Sequence, residues 1–150
     1  HVPKAEQASP AEYYKKMMQS TDEATRNKFA KEWMLYESST LKLDYFPANL
    51  ERELSKNMSA SLAFLESHYI LNDCFIEENY ILKNAAALKN IAIVIVHGRY
   101  DFICMPSAAY ELKKVLPHAL LHIVAAGHST SDPVQREVVR AYTNMLWPKP

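Results

Sequence analysis

Up to about residue 90, apolar positions along the chain recur at intervals of three and four; beyond it they come as unbroken β-branched runs. The first pattern predicts helices and the second predicts buried strands. In "SPAEYYKKMM", Ser9 reads as an N-cap, Pro10 as the first helical residue and Glu12 as the partner in a capping box. Thr21-Asp22-Glu23 then caps a second helix to about Ser38, with Phe29, Trp33 and Tyr36 at helical spacing. Asn49 or Ser59 opens a further helical stretch in which Leu62, Leu65, Tyr69 and Ile70 recur, and a short helix is expected around Asn79–Leu88.

The remainder reads strand, helix, strand, helix. "IAIVIV" has the continuous apolar character of a parallel strand covered on both faces. "SAAYELKKVL" has the length of one crossover helix, and "ALLHIVAA" is a second strand. Ser131 is expected to cap a last helix, with Pro133 in its first turn and Val134, Val138, Tyr142 and Met145 along one side. A βαβα unit places this part in the α/β class. The expected division is therefore a mostly helical domain over 1–88 and an α/β part over 89–150. Two parallel strands make no stable sheet alone, so the missing neighbours are expected from another segment of a parent protein or from another chain.

Composition narrows the function. Of the 150 residues, 49% are hydrophobic, which suffices for a core. Lys plus Arg equals Asp plus Glu, at 17 each, and no long basic run occurs, which argues against nucleic-acid or membrane-surface binding through bulk charge. The longest apolar run, Ile91–Val96, is too short to span a bilayer, and the opening "HVPKAEQASP" lacks the apolar centre of a secretory signal. Cys74 and Cys104 show neither a disulfide framework nor metal-ligand spacing, so two reduced thiols in a cytoplasmic protein and no metal are expected. Only two glycines occur, Gly98 and Gly127, where average usage predicts about ten.

Both glycines adjoin candidate chemistry. Ligand-binding groups of open α/β sheets gather beyond the carboxyl ends of the strands, and Asp101 and His128 each lie there, just past a Gly. Taken singly, such an Asp is usually a turn residue and such a His a surface residue. Together, at successive strand ends, they suit an acid and a base in the hydrolase order Ser…Asp…His. His97 reads as structural, and His122 as hydrogen-bonded or exposed within its strand. No Gly-x-Ser-x-Gly window exists to supply a nucleophile, nor a His-Gly-Gly loop for an oxyanion hole. Ser107, Ser129 and Ser131 read as cap or loop residues. Glu37 extends the stripe of Phe29 and Trp33, and Glu66 lies between Leu62 and Ile70, so each carboxylate needs a cation, several donors or water.

At "HGRYDFIC" and "LHIVAAGHSTSDP" the chain resembles proline iminopeptidase, a serine aminopeptidase family of the α/β-hydrolase superfamily. "KEWMLYESSTLKL" is similar to that family's Trp-containing cap helix, and "LESHYILN" to its Glu-x-His-Tyr segment. The resemblance implies an α/β-hydrolase fragment: a helical cap followed by the C-terminal part of the sheet, without the upstream serine and oxyanion loop. It implies Asp101 as triad acid and His128 as triad base. Glu37 and Glu66 then correspond to cap carboxylates that hold the substrate's N-terminal amine. Tyr36 and Tyr69 would line the same pocket, although core packing is the commoner role for such residues and for Trp33. Asp132 stands where Glu is common in the family, and Met105 where Pro is. The expected partners are a peptide with a free N-terminal proline and the missing N-terminal half; no cofactor, nucleic acid or membrane is implied. The rivals are another capped α/β-hydrolase, such as an epoxide hydrolase or esterase, and a non-catalytic hydrolase-like binding module.

Overall fold

A computed structural model of the chain describes residues 2–43 and 60–146. These divide into two compact units, one holding residues 2–39 and 60–78 and the other residues 40–43 and 79–146. The division falls about ten residues earlier than 88, and the reason is packing: Ala85 is buried with Leu116 and Ala119, so the segment before the first strand joins the sheet-bearing unit.

The first unit is helical, with α1 (Pro10–Met18), α2 (Glu23–Leu41, whose last two residues belong to the second unit) and α3 (Ala60–Ile70). Asp22 caps α2, its Oδ2 accepting from the backbone N–H (2.9 Å) and hydroxyl (2.6 Å) of Thr25. Pro10 does open α1, but Ser9 makes no side-chain cap bond, so the expected capping box does not form. The proline ring leaves one amide fewer to satisfy there. Met18, Phe29, Ala30 and Ala63 form the core, with Tyr14, Trp33 and Phe64 packed around it.

The expected face of α3 is corrected. Ala63 and Ser67 are buried, whereas Leu62, Leu65, Tyr69 and Ile70 are exposed. Small residues on the inner face let α1 approach closely, and Ser67 is buried at little cost because its hydroxyl donates to the Phe64 carbonyl at 2.7 Å. The alternative start of this helix at Asn49 lies outside the described residues.

The second unit contains α4 (Tyr80–Asn84), a 3-10 turn over Ala85–Leu88, β1 (Val94–Gly98), α5 (Pro106–Val115), β2 (Leu120–Val124) and α6 (Pro133–Leu146). The two strands pair in parallel, from Val94 opposite Leu120 to Gly98 opposite Val124. Along β1, Ile95 packs with Ala85, Leu112, Leu116 and Ala119, whereas Val94 and Val96 line a groove with Val139, Tyr142 and Leu146 of α6; Ile93, just before the strand, borders both. No third strand pairs with this sheet among the described residues, and β1 is only half-buried rather than enclosed.

Asp132, not Ser131, precedes α6 as its cap: its carbonyl accepts from the Arg136 N–H at 2.9 Å, while the Ser131 hydroxyl pairs with that of Ser129. Along α6 the expected stripe is only partly covered. Tyr142 bonds His122 Nε2 at 2.7 Å, but Val134 and Met145 are exposed. Among the described residues no helix is long and apolar enough to cross a membrane.

Candidate active site

The ladder between β1 and β2 does not stop at the strand ends. The N–H groups of Arg99 and Tyr100 donate to the carbonyls of Val124 (2.8 Å) and Ala126 (3.0 Å), so the two departing loops leave the sheet side by side. This close departure explains the glycines. A Cβ on Gly98 would lie 1.9 Å from the Gly127 carbonyl oxygen, and one on Gly127 would lie 2.9 Å from the Leu41 oxygen. Only hydrogen fits at either position; neither needs an unusual φ.

Asp101 and His128 meet just beyond this contact. Asp101 is buried, and its Oδ1 accepts from the backbone N–H groups of Ile103 (3.0 Å) and Cys104 (2.8 Å). Its Oδ2 accepts from His128 Nδ1 at 3.0 Å. A carboxylate can only accept, so His128 carries a proton on Nδ1, and in the neutral ring that leaves Nε2 as the acceptor. The His128 side chain is 34% exposed, against 4% for Asp101. His97 buttresses the same carboxylate, its Nε2 lying 3.4 Å from Oδ2 and donating to the Cys104 carbonyl at 2.8 Å.

Asp132 is a supporting residue that the sequence pattern did not single out for this role. It is buried, and its Oδ2 accepts from the Gly127 N–H at 2.6 Å, fixing the Ala126–Gly127 peptide one residue ahead of His128. Ser129 N–H donates to the Leu41 carbonyl at 2.8 Å and anchors the other side of that histidine. An acidic residue directly before a helix-opening proline was the available signal, since such a cap has a spare oxygen for a neighbouring loop.

Over 134 residues the chain is 37% identical to the proline iminopeptidase of Xylella fastidiosa, which takes in 88% of this chain and 43% of that protein. This chain is a relative of the proline iminopeptidases. The proline iminopeptidase of Xanthomonas citri is 35% identical over 134 residues (88% of this chain, 43% of that protein). That of Arabidopsis thaliana is 32% identical over 148 residues, 96% of this chain and 39% of its own length. The chain thus spans about two fifths of the length of these proline iminopeptidases. No protein-family model matches it.

The other candidate residues lie in the helical unit. Glu66 Oε2 accepts from Trp33 Nε1 at 2.7 Å, so its cation or donor requirement is met in part by an indole. Glu37 is half-buried near the end of α2. Core packing does not describe the tyrosines: Tyr36 is 70% exposed, and Tyr69 is exposed with its ring edge-on to Phe75. Trp33, by contrast, does pack against the core. Tyr36 lines a groove with Trp33 and Glu32, and Tyr69 is not among that groove's lining residues.

Proposed function

We propose that the chain is the helical cap and C-terminal α/β part of a serine-type aminopeptidase that releases N-terminal proline from peptides in the cytoplasm. The observation that carries this reading is the 3.0 Å contact between His128 Nδ1 and Asp101 Oδ2, at the strand ends of a chain related to proline iminopeptidases. In the complete enzyme a serine from the segment upstream of this chain attacks the scissile carbonyl. His128 Nε2 accepts the serine proton and returns it to the leaving amine, while Asp101 keeps Nδ1 protonated and steadies the imidazolium. Glu37 and Glu66 hold the free secondary amine of the substrate, with Tyr36 and Tyr69 beside it. A carboxylate pair of this kind favours a peptide with an ionised terminus over an internal peptide bond.

The test is reconstitution. The 150-residue chain alone is expected to leave proline arylamides untouched, and co-expression with the upstream half of the enzyme to restore turnover. In the restored enzyme, Glu37→Gln and Glu66→Gln should lose activity on free-amine substrates far more than on an N-blocked ester. Turnover by the chain alone would refute the upstream nucleophile, and equal losses on both substrates would refute the amine-binding role.

A further inference from the structure

A groove in the helical unit brings a further carboxylate, Glu32, beside Tyr36, a residue it shares with the proposed amine pocket. Between α1 and α2 is a groove of about 490 Å3, lined by Pro10, Ala11, Tyr14, Glu32, Trp33 and Tyr36. Three aromatic rings and one carboxylate make its walls. Among the described residues Glu32 forms no ion pair, and its one hydrogen bond is accepted at Oε2 from the Tyr14 hydroxyl at 3.1 Å. The lysines of α1 and α2 with partners are directed elsewhere: Lys15 to His68 Nδ1, Lys16 to Glu6, and Lys28 over the Phe29 ring.

We propose that this groove binds the guanidinium of an arginine side chain presented by a peptide or protein ligand. An unpaired carboxylate beside aromatic faces is complementary to an organic cation, since the ring faces are electronegative and the carboxylate supplies the countercharge. Aromatic side chains together with a carboxylate favour a planar cation over a compact one. A guanidinium stacks on indole and phenol rings and is weakly hydrated, whereas an ammonium is a compact, strongly hydrated point charge. The pocket is held ready without its ligand. Trp33 is fixed at its Nε1 by Glu66 and at its ring by Tyr14, whose centroid lies 5.9 Å away in an edge-to-face arrangement. Burial, and then the Glu32 carboxylate, push the Tyr14 phenol above its ordinary value, so it stays protonated and keeps Glu32 oriented.

The experiment titrates the full chain with N-acetyl-arginine amide, N-acetyl-lysine amide and N-acetyl-norleucine amide, following the Trp33 indole N–H by NMR with Trp147 as internal reference. The arginine compound should shift the Trp33 signal saturably, about fivefold or more tightly than the lysine compound, and the norleucine compound should not shift it. Glu32→Gln should abolish the response with unchanged far-UV circular dichroism. Tyr36→Ala, at an exposed ring, should weaken binding about fivefold without touching the core and serves if Glu32→Gln fails to fold. A norleucine response equal to arginine's, lysine binding as tight as arginine's, or no Trp33 shift would each overturn the proposal.

Discussion

His128 can act as a base only while Nδ1 keeps its proton, and a single oxygen, Asp101 Oδ2, enforces that. In a reconstituted enzyme, Asp101→Asn would offer an amide that can hold the wrong tautomer, and kcat is expected to fall by about 10⁴-fold. Steady-state kinetics on a proline arylamide would read this loss, and His128→Ala should match it. Asp132 acts at one remove, through the Gly127 amide. Asp132→Ala should therefore lower kcat by about tenfold to a hundredfold with KM nearly unchanged, as expected for a misplaced rather than missing base. Loss of KM instead would assign Asp132 to substrate binding. The adjacency of Asp101 and His128 was legible because both follow parallel strands, and parallel strands deliver their ends to one rim. The Trp33–Glu66 bond was not legible, because two helices separated in sequence carry no signal of which indole meets which carboxylate.

At the scale of elements, the helices were easier to place than their buried faces. The three-and-four recurrence of Leu62, Leu65, Tyr69 and Ile70 located α3 but indicated the wrong side, since Ala63 and Ser67 give the tighter approach. Hydrophobicity alone cannot show that a small residue faces inward. The cap of α2 has a pH signature. Hydrogen bonds from the Thr25 hydroxyl, then its amide, hold the Asp22 carboxyl below its ordinary value. A depressed acid stabilises the fold fully above the unfolded value and loses that effect as pH falls through the lower folded value. Urea midpoints should accordingly drop on acidification below about pH 4, and Asp22→Asn should flatten that part of the profile. An unchanged profile would remove the cap from the acid response. For the strand ends, Gly98→Ala would set a methyl 1.9 Å from the Gly127 oxygen. The expected cost is upwards of about 3 kcal/mol, read as loss of soluble protein or of the unfolding transition.

For the molecule as a whole, the described sheet has two strands and unpaired outer edges, which a free-standing α/β protein does not leave open. Apolar side chains of this unit, among them Leu120 in β2 and Val134 and Met145 in α6, are likewise exposed. The isolated chain should bind a hydrophobic dye such as ANS and self-associate with rising concentration. Co-expression with the upstream half of the proposed enzyme should suppress both, as read by fluorescence and sedimentation; persistence of both would mean that the half does not cover these surfaces. The sequence led to the expectation of further strands, and among the described residues none pairs with β1 or β2 beyond their own ladder; that Val94 and Val96 line a groove with α6 was not legible, because a continuous apolar run does not say which face meets a helix.

The touching backbones at Gly98 and Gly127 have an evolutionary corollary. With hydrogen alone filling the gap, the loops cannot close up to suit a shorter reach between acid and base. A glutamate in place of Asp101 would be one methylene longer and could not keep both the amides of Ile103 and Cys104 and the His128 imidazole in their present places. The acid of this pair is thus constrained in length as well as in charge, and a side chain at Gly98 would force the two loops apart and with them the acid and the base.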